Sequence, residues 1–342
     1  MGELILAADS LFPAERNSSE AEQRLRNFLR DREAYSDNTF RDLVSVIRIY
    51  SDWCRQRGAA WFPVDDEMAR IYLMDMYDSG LASTTVDKHY AMLNMLLKQA
   101  GLTTLAESQS VTLAMRKIRR DAGTGGEERT GQAIPLRLDD LRLLNVLLSR
   151  SGRAVDLRNL TFLFVAYNTL LRISEVGRLR VRDLEIEGDN VTLNVSHTKT
   201  IVSAAGLVKS LSAISSRLVI DWLDKSGLSD HPEAILFPPV RKNGAVAIVE
   251  KPMSTPALEK IFSDAWLELR REPMPVNKGR YATWTGHSAR VGAAQDMSDH
   301  GTTLVEIMRE GTWKTPATVM GYLRKTKANK GAMSKLLDEK ET

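Results

Sequence analysis

The chain has 342 residues, of which 43% are hydrophobic and 27% charged, and its formal net charge is only +3. This length favours two globular domains with separate cores, and the composition argues against a disordered chain. The absence of a long apolar run, of a secretion-signal pattern and of any cysteine besides Cys54 argues against a membrane, secreted or disulfide-bonded protein and predicts a cytoplasmic one, or a nuclear one if it is delivered there.

Consecutive amphipathic helices are predicted over residues 20–122, after a tail of residues 1–19 that we expect to be flexible. Apolar residues of the stretch 37–54 recur every three or four positions, which is the period of a helix with one buried face. Similar patterns predict helices near 65–80, 83–101 and 110–121. Short connections between such helices favour a helical bundle as the N-terminal domain.

A linker is predicted at residues 123–135, GTGGEERTGQAIP, because this stretch combines four glycines and a proline with few apolar residues. It separates the helical bundle from a second domain that we place at residues 136–342.

The second domain has a mixed pattern. Helices are predicted near 137–150 and 155–172, followed by an alternating run, DNVTLNVSHTKT, whose valines and leucine on one side indicate a half-buried strand. Further helical patterns lie near 216–225, 254–270, 287–299, 303–309 and 315–323. The predicted fold class is therefore mainly α, with a helical N-terminal bundle and an α+β C-terminal domain that contains a small antiparallel sheet.

Positive charge is clustered although the net charge is small. The clusters are MRKIRRD (115–121), RLRVRD (178–183) and VRKNG (240–244). A phosphate backbone attracts clusters of positive charge, although each cluster could also be a solvated helix face.

Common metal and nucleotide motifs do not occur. The sequence has no GxxxxGK[ST], GxGxxG or HExxH, no paired cysteines and no two histidines at metal-ligand spacing. We therefore expect no metal site and no cofactor.

Several polar residues of the second domain are harder to explain as surface. Arg172 and Glu175 follow an apolar helix, where an arginine needs a partner, so they could form a structural ion pair or part of a site. Lys199 follows the predicted strand and could be a solvated turn lysine. His287 and Arg290 share one face at the start of a predicted helix, where both could reach one anion.

Trp313 and Tyr322 lie nine residues apart near the C-terminus, and each taken alone fits an apolar core. Together with the cationic residues they provide the groups for transesterification of a phosphodiester. A tyrosine oxygen can be the nucleophile, guanidinium groups can stabilise the charge of the transition state, a lysine can protonate the leaving oxygen and a histidine can exchange a proton. Such a reaction needs neither ATP nor a metal ion.

The order of these residues, written here as LLRISE, HTKT, GHSAR, GTW and MGYLR, resembles the tyrosine site-specific recombinases, and within them the phage Cre type. Longer phrases such as AYNTLLRISE and GHSARVGAA are similar as well, and the resemblance covers about residues 20 to 338. It implies a metal- and ATP-independent DNA strand transferase whose catalytic residues are Arg172, Glu175, Lys199, His287, Arg290, Trp313 and the nucleophile Tyr322.

The resemblance also implies an assembly. Two domains would form a C-shaped clamp around double-stranded DNA, Lys199 would lie on a mobile β-hairpin, and a homodimer would occupy an inverted-repeat site. Two such sites would synapse in a homotetramer through exchange of a C-terminal helix that contains MSKLLDEK. Strand exchange would pass through a 3′-phosphotyrosyl intermediate and a Holliday junction.

Candidate DNA contacts follow from the same resemblance. The positions are Arg41, Lys88, Arg241, Lys242, Pro256 and Arg280. Pro256 stands in STPALE where the Cre pattern has an arginine that reads guanine, and proline cannot make that bidentate contact. The target should therefore differ from that of Cre, while the other positions are as well suited to phosphate contacts as to base contacts.

Three alternatives stay open at this point. The same chemistry could belong to a type IB topoisomerase that acts as a monomer. The polar residues could be structural in a DNA-binding regulator or architectural protein, or they could form a phosphate-binding site unrelated to nucleic acid.

Overall fold

The computed structural model describes residues 20–31, 35–124, 132–195, 206–271 and 282–327. The chain divides into two compact units at the bond between Gly131 and Gln132. Within the predicted linker, Gly123 and Thr124 are the last residues of a helix, and Ala133 is already buried in the second unit.

Every secondary-structure element described in the first unit is a helix. Its helices are α1 (Glu20–Arg30), α2 (Asp37–Gln56), α3 (Asp66–Asp78), α4 (Ser83–Ala100) and α5 (Gln109–Thr124). The predicted apolar face of α2 is buried, and Tyr50 packs edge-on against Tyr72 of α3 with ring centroids 5.0 Å apart. Aromatic and aliphatic side chains thus fill this core.

The second unit alternates helices with one small sheet. Its elements are α6 (Leu138–Leu148), α7 (Ala154–Thr169), α8 (Ile173–Val176), a 3₁₀ turn (Val181–Asp183), β1 (Leu184–Glu187), β2 (Asn190–Val195), β3 (Leu207–Ser210), α9 (Ala213–Ser226), α10 (Thr255–Glu268), α11 (Ser288–Asp299), α12 (Leu304–Glu310) and α13 (Pro316–Lys327). The apolar α7 lies at the centre of this core.

The three strands form an antiparallel sheet in the order β1-β2-β3. The predicted alternation of β2 is confirmed, because Val191, Leu193 and Val195 are all buried. The predicted fold class, mainly α with a small antiparallel sheet, is confirmed as well. Across the described ranges, no helix is long and apolar enough to cross a membrane.

The prediction of one helix over 155–172 was wrong at its C-terminal end. Helix α7 ends at Thr169, and Leu170 adopts a left-handed backbone with φ of 53°. Leu170 and Leu171 are buried like the residues before them, so the apolar pattern continues past the end of the helix. The chain turns at Leu170, and its carbonyl accepts a hydrogen bond from Arg290 instead of continuing the helical ladder.

Candidate active site

Arg290 is a buried cation of the second unit that contacts several of the predicted site residues. It lies in the first turn of α11 and is only 2% exposed. Its Nη1 donates to the carbonyl of Leu170 and its Nη2 donates to the carbonyl of Gly311 at 3.0 Å. Burial lowers the pKa of Arg290 below its ordinary value, and the nearby Tyr322 oxygen opposes that shift. An arginine stays charged in proteins, so this buried cation favours an anionic ligand.

Arg172 and Glu175 form the predicted ion pair at the start of α8. Arg172 Nη1 lies 3.0 Å from Glu175 Oε1, and the backbone N–H of Arg172 donates to Glu175 Oε2 at 2.8 Å. The Glu175 side chain is 6% exposed and that of Arg172 is 28% exposed, so the carboxylate fixes an arginine that a ligand can still reach. Burial is the main cause of the lowered pKa of Arg290, and the positive charge of Arg172 lowers it further, so the two guanidinium groups lie within electrostatic range of each other.

His287 stands at the N-terminus of α11 and its side chain is exposed. The preceding Gly286 packs so tightly on Ile173 of α8 that a Cβ would lie 2.7 Å from the Ile173 Cβ. Because Ile173 follows Arg172 directly, this contact places His287 beside the element that carries Arg172.

Trp313 and Tyr322 lie against Arg290. The Arg290 guanidinium carbon is 4.8 Å from the centroid of the Trp313 ring, and the rings of Trp313 and Tyr322 are 5.4 Å apart. Gly311 has no room for a side chain, since a Cβ there would lie 2.1 Å from the Trp313 ring. The structure therefore brings Arg172, Glu175, Arg290, Trp313 and Tyr322 together, with the phenol next to the cations.

A further cation, Lys209 of β3, was not predicted from the sequence. Its Nζ donates to the Glu310 carbonyl at 2.6 Å and lies 2.9 Å from Glu310 Oε2. Lys209 and Arg290 thus hold the consecutive carbonyls of residues 310 and 311, in the turn that leads to Trp313. The only sequence signal was the alternation in LVKS, where the lysine takes an inward position beside Leu193.

Two predicted site residues, Lys199 and Arg280, and the C-terminal segment MSKLLDEK lie outside the described residues.

The candidate DNA contacts of the first unit are exposed. Arg41 on α2 donates from Nη1 to Asn38 Oδ1 at 3.3 Å, and Lys88 on α4 has its Nζ 3.4 Å from Asp42 Oδ1. Exposed ion pairs of this kind are weak and can be exchanged for phosphate contacts.

The candidate DNA contacts of the second unit lie on two other elements. Arg241 and Lys242 are exposed in a tight turn closed by Gly244, whose N–H donates to the Arg241 carbonyl at 2.9 Å. Pro256 is exposed in the first turn of α10, where a proline costs no helical hydrogen bond. Among the side chains the structure describes, no group of histidine, cysteine and acidic residues could hold a metal ion.

Comparisons with known proteins identify integrases and recombinases as the relatives of this chain. Residues 135–329 match the Phage integrase family. The chain is 40% identical to the recombinase Cre of Escherichia phage P1 over 96% of its own length and 95% of the relative, and 23% identical to an integrase/recombinase XerD homologue of Selenomonas ruminantium over 90% and 86%.

Solved structures with a similar fold include XerH site-specific recombinase bound to a palindromic difH substrate, with a TM-score of 0.60 at 14% identity, over 98% of this chain and 90% of that one. A lambda integrase dimer bound to a COC′ core site has a TM-score of 0.54 at 15% identity, over 88% and 93%.

Proposed function

The chain belongs to the phage integrase family of tyrosine recombinases, the enzymes that transfer DNA strands, and from this membership we propose that it is an active site-specific recombinase with Tyr322 as nucleophile. In this proposal Arg172, Glu175, Lys199, His287, Arg290 and Trp313 complete the catalytic site. The observation that carries the proposal is the packing of Tyr322 against Trp313 and Arg290 within one chain.

The first step is attack of the Tyr322 oxygen on the phosphorus of one DNA strand. The bond from tyrosine to phosphorus forms while the bond to the 5′ oxygen breaks, which gives a 3′-phosphotyrosyl linkage and a free 5′ hydroxyl. Negative charge on the non-bridging oxygens is largest in the transition state. Arg290, with Arg172 held by Glu175, stabilises that charge.

Proton transfer accompanies both bond changes. His287 is the candidate to accept the tyrosine proton, and Lys199 the candidate to protonate the departing 5′ oxygen. The phosphotyrosyl bond conserves the energy of the phosphodiester, so a 5′ hydroxyl from a partner strand can reverse the reaction without ATP or a metal ion. Two such exchanges in succession pass through a Holliday junction.

The proposed assembly is a dimer on each inverted-repeat site of duplex DNA and a tetramer on two sites. A groove of about 250 Å³ in the second unit, lined by Leu141, Phe164, Ile214 and Met297 among others, supports it. This apolar groove is the proposed receptor for MSKLLDEK of a neighbouring subunit. Removing residues 332–342 should then abolish tetramers on DNA, while dimers on a single site persist.

The target is proposed to differ from that of Cre because Pro256 cannot read a base. Short stretches of the sequence also resemble the Dre recombinase, and we propose that the chain is more similar to Dre than to Cre. Offering the protein the target sites of both recombinases tests the two statements together.

The decisive experiment selects bound sites from random DNA and then supplies the selected site as a duplex nicked near the cleavage position. We expect the wild-type protein to form a covalent DNA adduct and Tyr322→Phe to bind the same DNA without forming one. A DNA-binding regulator would give no adduct from either protein, and a phosphate-binding protein would show no steep loss of DNA binding with salt.

A topoisomerase is separated by its products. Incubation with two unlike plasmids that carry the selected site should yield recombinants with the proposed enzyme. Relaxation without recombinants would instead identify the topoisomerase.

A further inference from the structure

The main-chain carbonyl of Tyr322 is held by two glutamine side chains. Gln295 Nε2 donates to it at 2.9 Å, and Gln132 Nε2 donates to it at 3.0 Å. Gln295 lies on α11 and Gln132 precedes α6, so two distant parts of the second unit converge on the backbone of the residue that carries the phenol.

Both ends of the Gln295 amide have a defined partner. Its Oε1 accepts from Arg137 Nη1 at 3.0 Å, and its Nε2 donates to the Tyr322 carbonyl. A guanidinium can only donate and a carbonyl can only accept, so the orientation of the amide is fixed by its two partners. Gln295 is 4% exposed, and loss of either bond would leave a buried polar group without a partner.

Arg137 is itself anchored to α11. Its Nε lies 2.7 Å from Asp296 Oδ1 and its Nη2 lies 2.5 Å from Asp299 Oδ2. The other oxygen of Asp296 accepts from the Leu138 N–H at 2.8 Å and from the Tyr167 hydroxyl. Gln295 is therefore one end of a continuous network rather than an isolated contact.

Gln132 is placed by an extended segment that lies on α11. The N–H of Leu136 donates to the Ser288 carbonyl at 3.0 Å. The segment approaches so closely at Gly292 that a Cβ there would be 1.7 Å from the Leu136 carbonyl oxygen. This close packing brings the Gln132 amide within reach of α13.

We propose that Gln295 and Gln132 are positioning residues that hold the Tyr322 main chain so that its phenol oxygen meets phosphorus in line. This inference rests on the proposed function of Tyr322 as nucleophile. The Trp313 ring contacts the phenol, whereas the two amides bond the main-chain carbonyl of the same residue in addition to the backbone bonds of α13. A displacement of about 1 Å at the reacting atoms can cost about 100-fold in rate, so such a contact acts on chemistry more than on DNA affinity.

The test is Gln295→Glu in the full chain. A glutamate has the size of glutamine and pairs with Arg137, but it sets a carboxylate oxygen against the Tyr322 carbonyl. Gln132→Glu makes the same change from the other side, and Gln56→Glu at the exposed end of α2 is the matched control. Single-turnover cleavage of the nicked duplex is measured against protein concentration, together with the melting temperature.

We expect Gln295→Glu to lower the cleavage rate at saturating protein by about 10- to 100-fold and Gln132→Glu by a smaller factor. The protein concentration for half-maximal cleavage should stay near that of the Gln56→Glu control, whereas Gln295→Glu should melt at a lower temperature because its carboxylate is buried against a carbonyl. The double variant should lose less than the product of the two single losses, because both amides act on one carbonyl.

Saturating rates within about twofold of the control in both variants would overturn the inference. So would rate losses that come with equal losses of DNA affinity, or that disappear when cleavage is measured well below the melting temperature of each variant. If Gln295→Glu does not fold, Gln132→Glu decides the question, since its side chain is only partly buried. Absence of an adduct from the wild-type protein would refute the proposed function itself, whereas a normal wild-type adduct with normal variants refutes only the positioning role.

Discussion

The two units differ in what they bury. Among the described residues, the core of the first unit contains aromatic and aliphatic side chains and two buried polar residues, Ser51 and His89. The second unit buries charged groups as well, among them Asp140, Asp156, Arg158, Glu175, Lys209 and Arg290. Buried charge costs stability unless it is bonded, and each of these has an ion pair or hydrogen bond.

Because of this difference, positively charged side chains can serve different purposes in the two units. The first unit presents its cations at the surface, where they can meet a long anionic ligand without being fixed. The second unit holds two arginines in bonded positions beside a tyrosine, and in the proposed reaction their fixed orientation matters because the negative charge that they stabilise is largest in the transition state. Substitutions of Arg172 and Arg290 should accordingly affect chemistry, whereas substitutions of the exposed cations of the first unit should affect DNA affinity.

The largest effect is expected from Arg290→Lys. An ammonium cannot reproduce the two bonds to the carbonyls of Leu170 and Gly311, and it cannot grip two phosphate oxygens in one plane. The cleavage rate at saturating protein should fall by about 1000-fold in the nicked-duplex assay.

Arg158→Lys is the control, because Arg158 is buried in the same unit and bonds the Pro238 carbonyl at 3.0 Å. It should lower the melting temperature while the folded protein cleaves at the wild-type rate. Equal loss of cleavage in both variants would mean that a buried arginine matters here only for folding.

The next largest effect is expected from Gly292→Ala, which disturbs packing in the second unit and should lower the stability of the protein. The added Cβ would meet the Leu136 backbone at 1.7 Å, and a main chain cannot rotate away as a side chain can. We expect a loss of about 2–3 kcal/mol in the free energy of unfolding, measured by calorimetry of the full chain.

Gly321→Ala on α13 is the opposite case, since nothing lies within 4 Å of its added Cβ. Because alanine is the better helix former, that variant should gain up to about 1 kcal/mol. A neutral Gly292→Ala would show that α11 and the extended segment are not tightly packed.

How far the sequence predicted these features depends on the kind of signal. Periodicity located α2 and β2, and motif order located Arg172, Arg290 and Tyr322. Periodicity could not locate the end of α7, because Leu170 is as apolar as the helix before it. The Leu170 carbonyl is bonded by Arg290, which lies 120 residues away in the sequence. Gln295 and Gln132 were missed for the same reason, since an amide that bonds a distant carbonyl leaves no local pattern.

A moderate, pH-dependent effect is expected in the first unit. Burial lowers the pKa of His89 to about 4, and its Nδ1 lies 2.7 Å from the Tyr72 hydroxyl. The unfolded chain takes up the proton near pH 6.5, so the contribution of His89 to stability is complete above that pH and declines as the pH falls toward 4. The decline should approach about 1.4 kcal/mol per pH unit within this window.

Hydrogen exchange of peptides from α3 and α4 measures this local stability in the full chain. Wild-type protection should decrease between pH 6.5 and 4 after correction for intrinsic exchange, and His89→Gln should remove most of that dependence. The same pH dependence in His89→Gln would assign it to other groups.

The smallest effect is expected from Lys88→Gln on the surface of the first unit. The ion pair with Asp42 is exposed, so its loss should leave stability unchanged. If Lys88 contacts phosphate, the slope of log affinity against log salt should fall by about 1, while the cleavage rate at saturating protein stays the same. Lys98→Gln on the same helix is the control, because ten further residues turn a side chain by about 80° from the Lys88 face. Equal slopes for the two variants would show that α4 does not present Lys88 to DNA. The proposed role of the first unit in DNA affinity would then lose the support of Lys88.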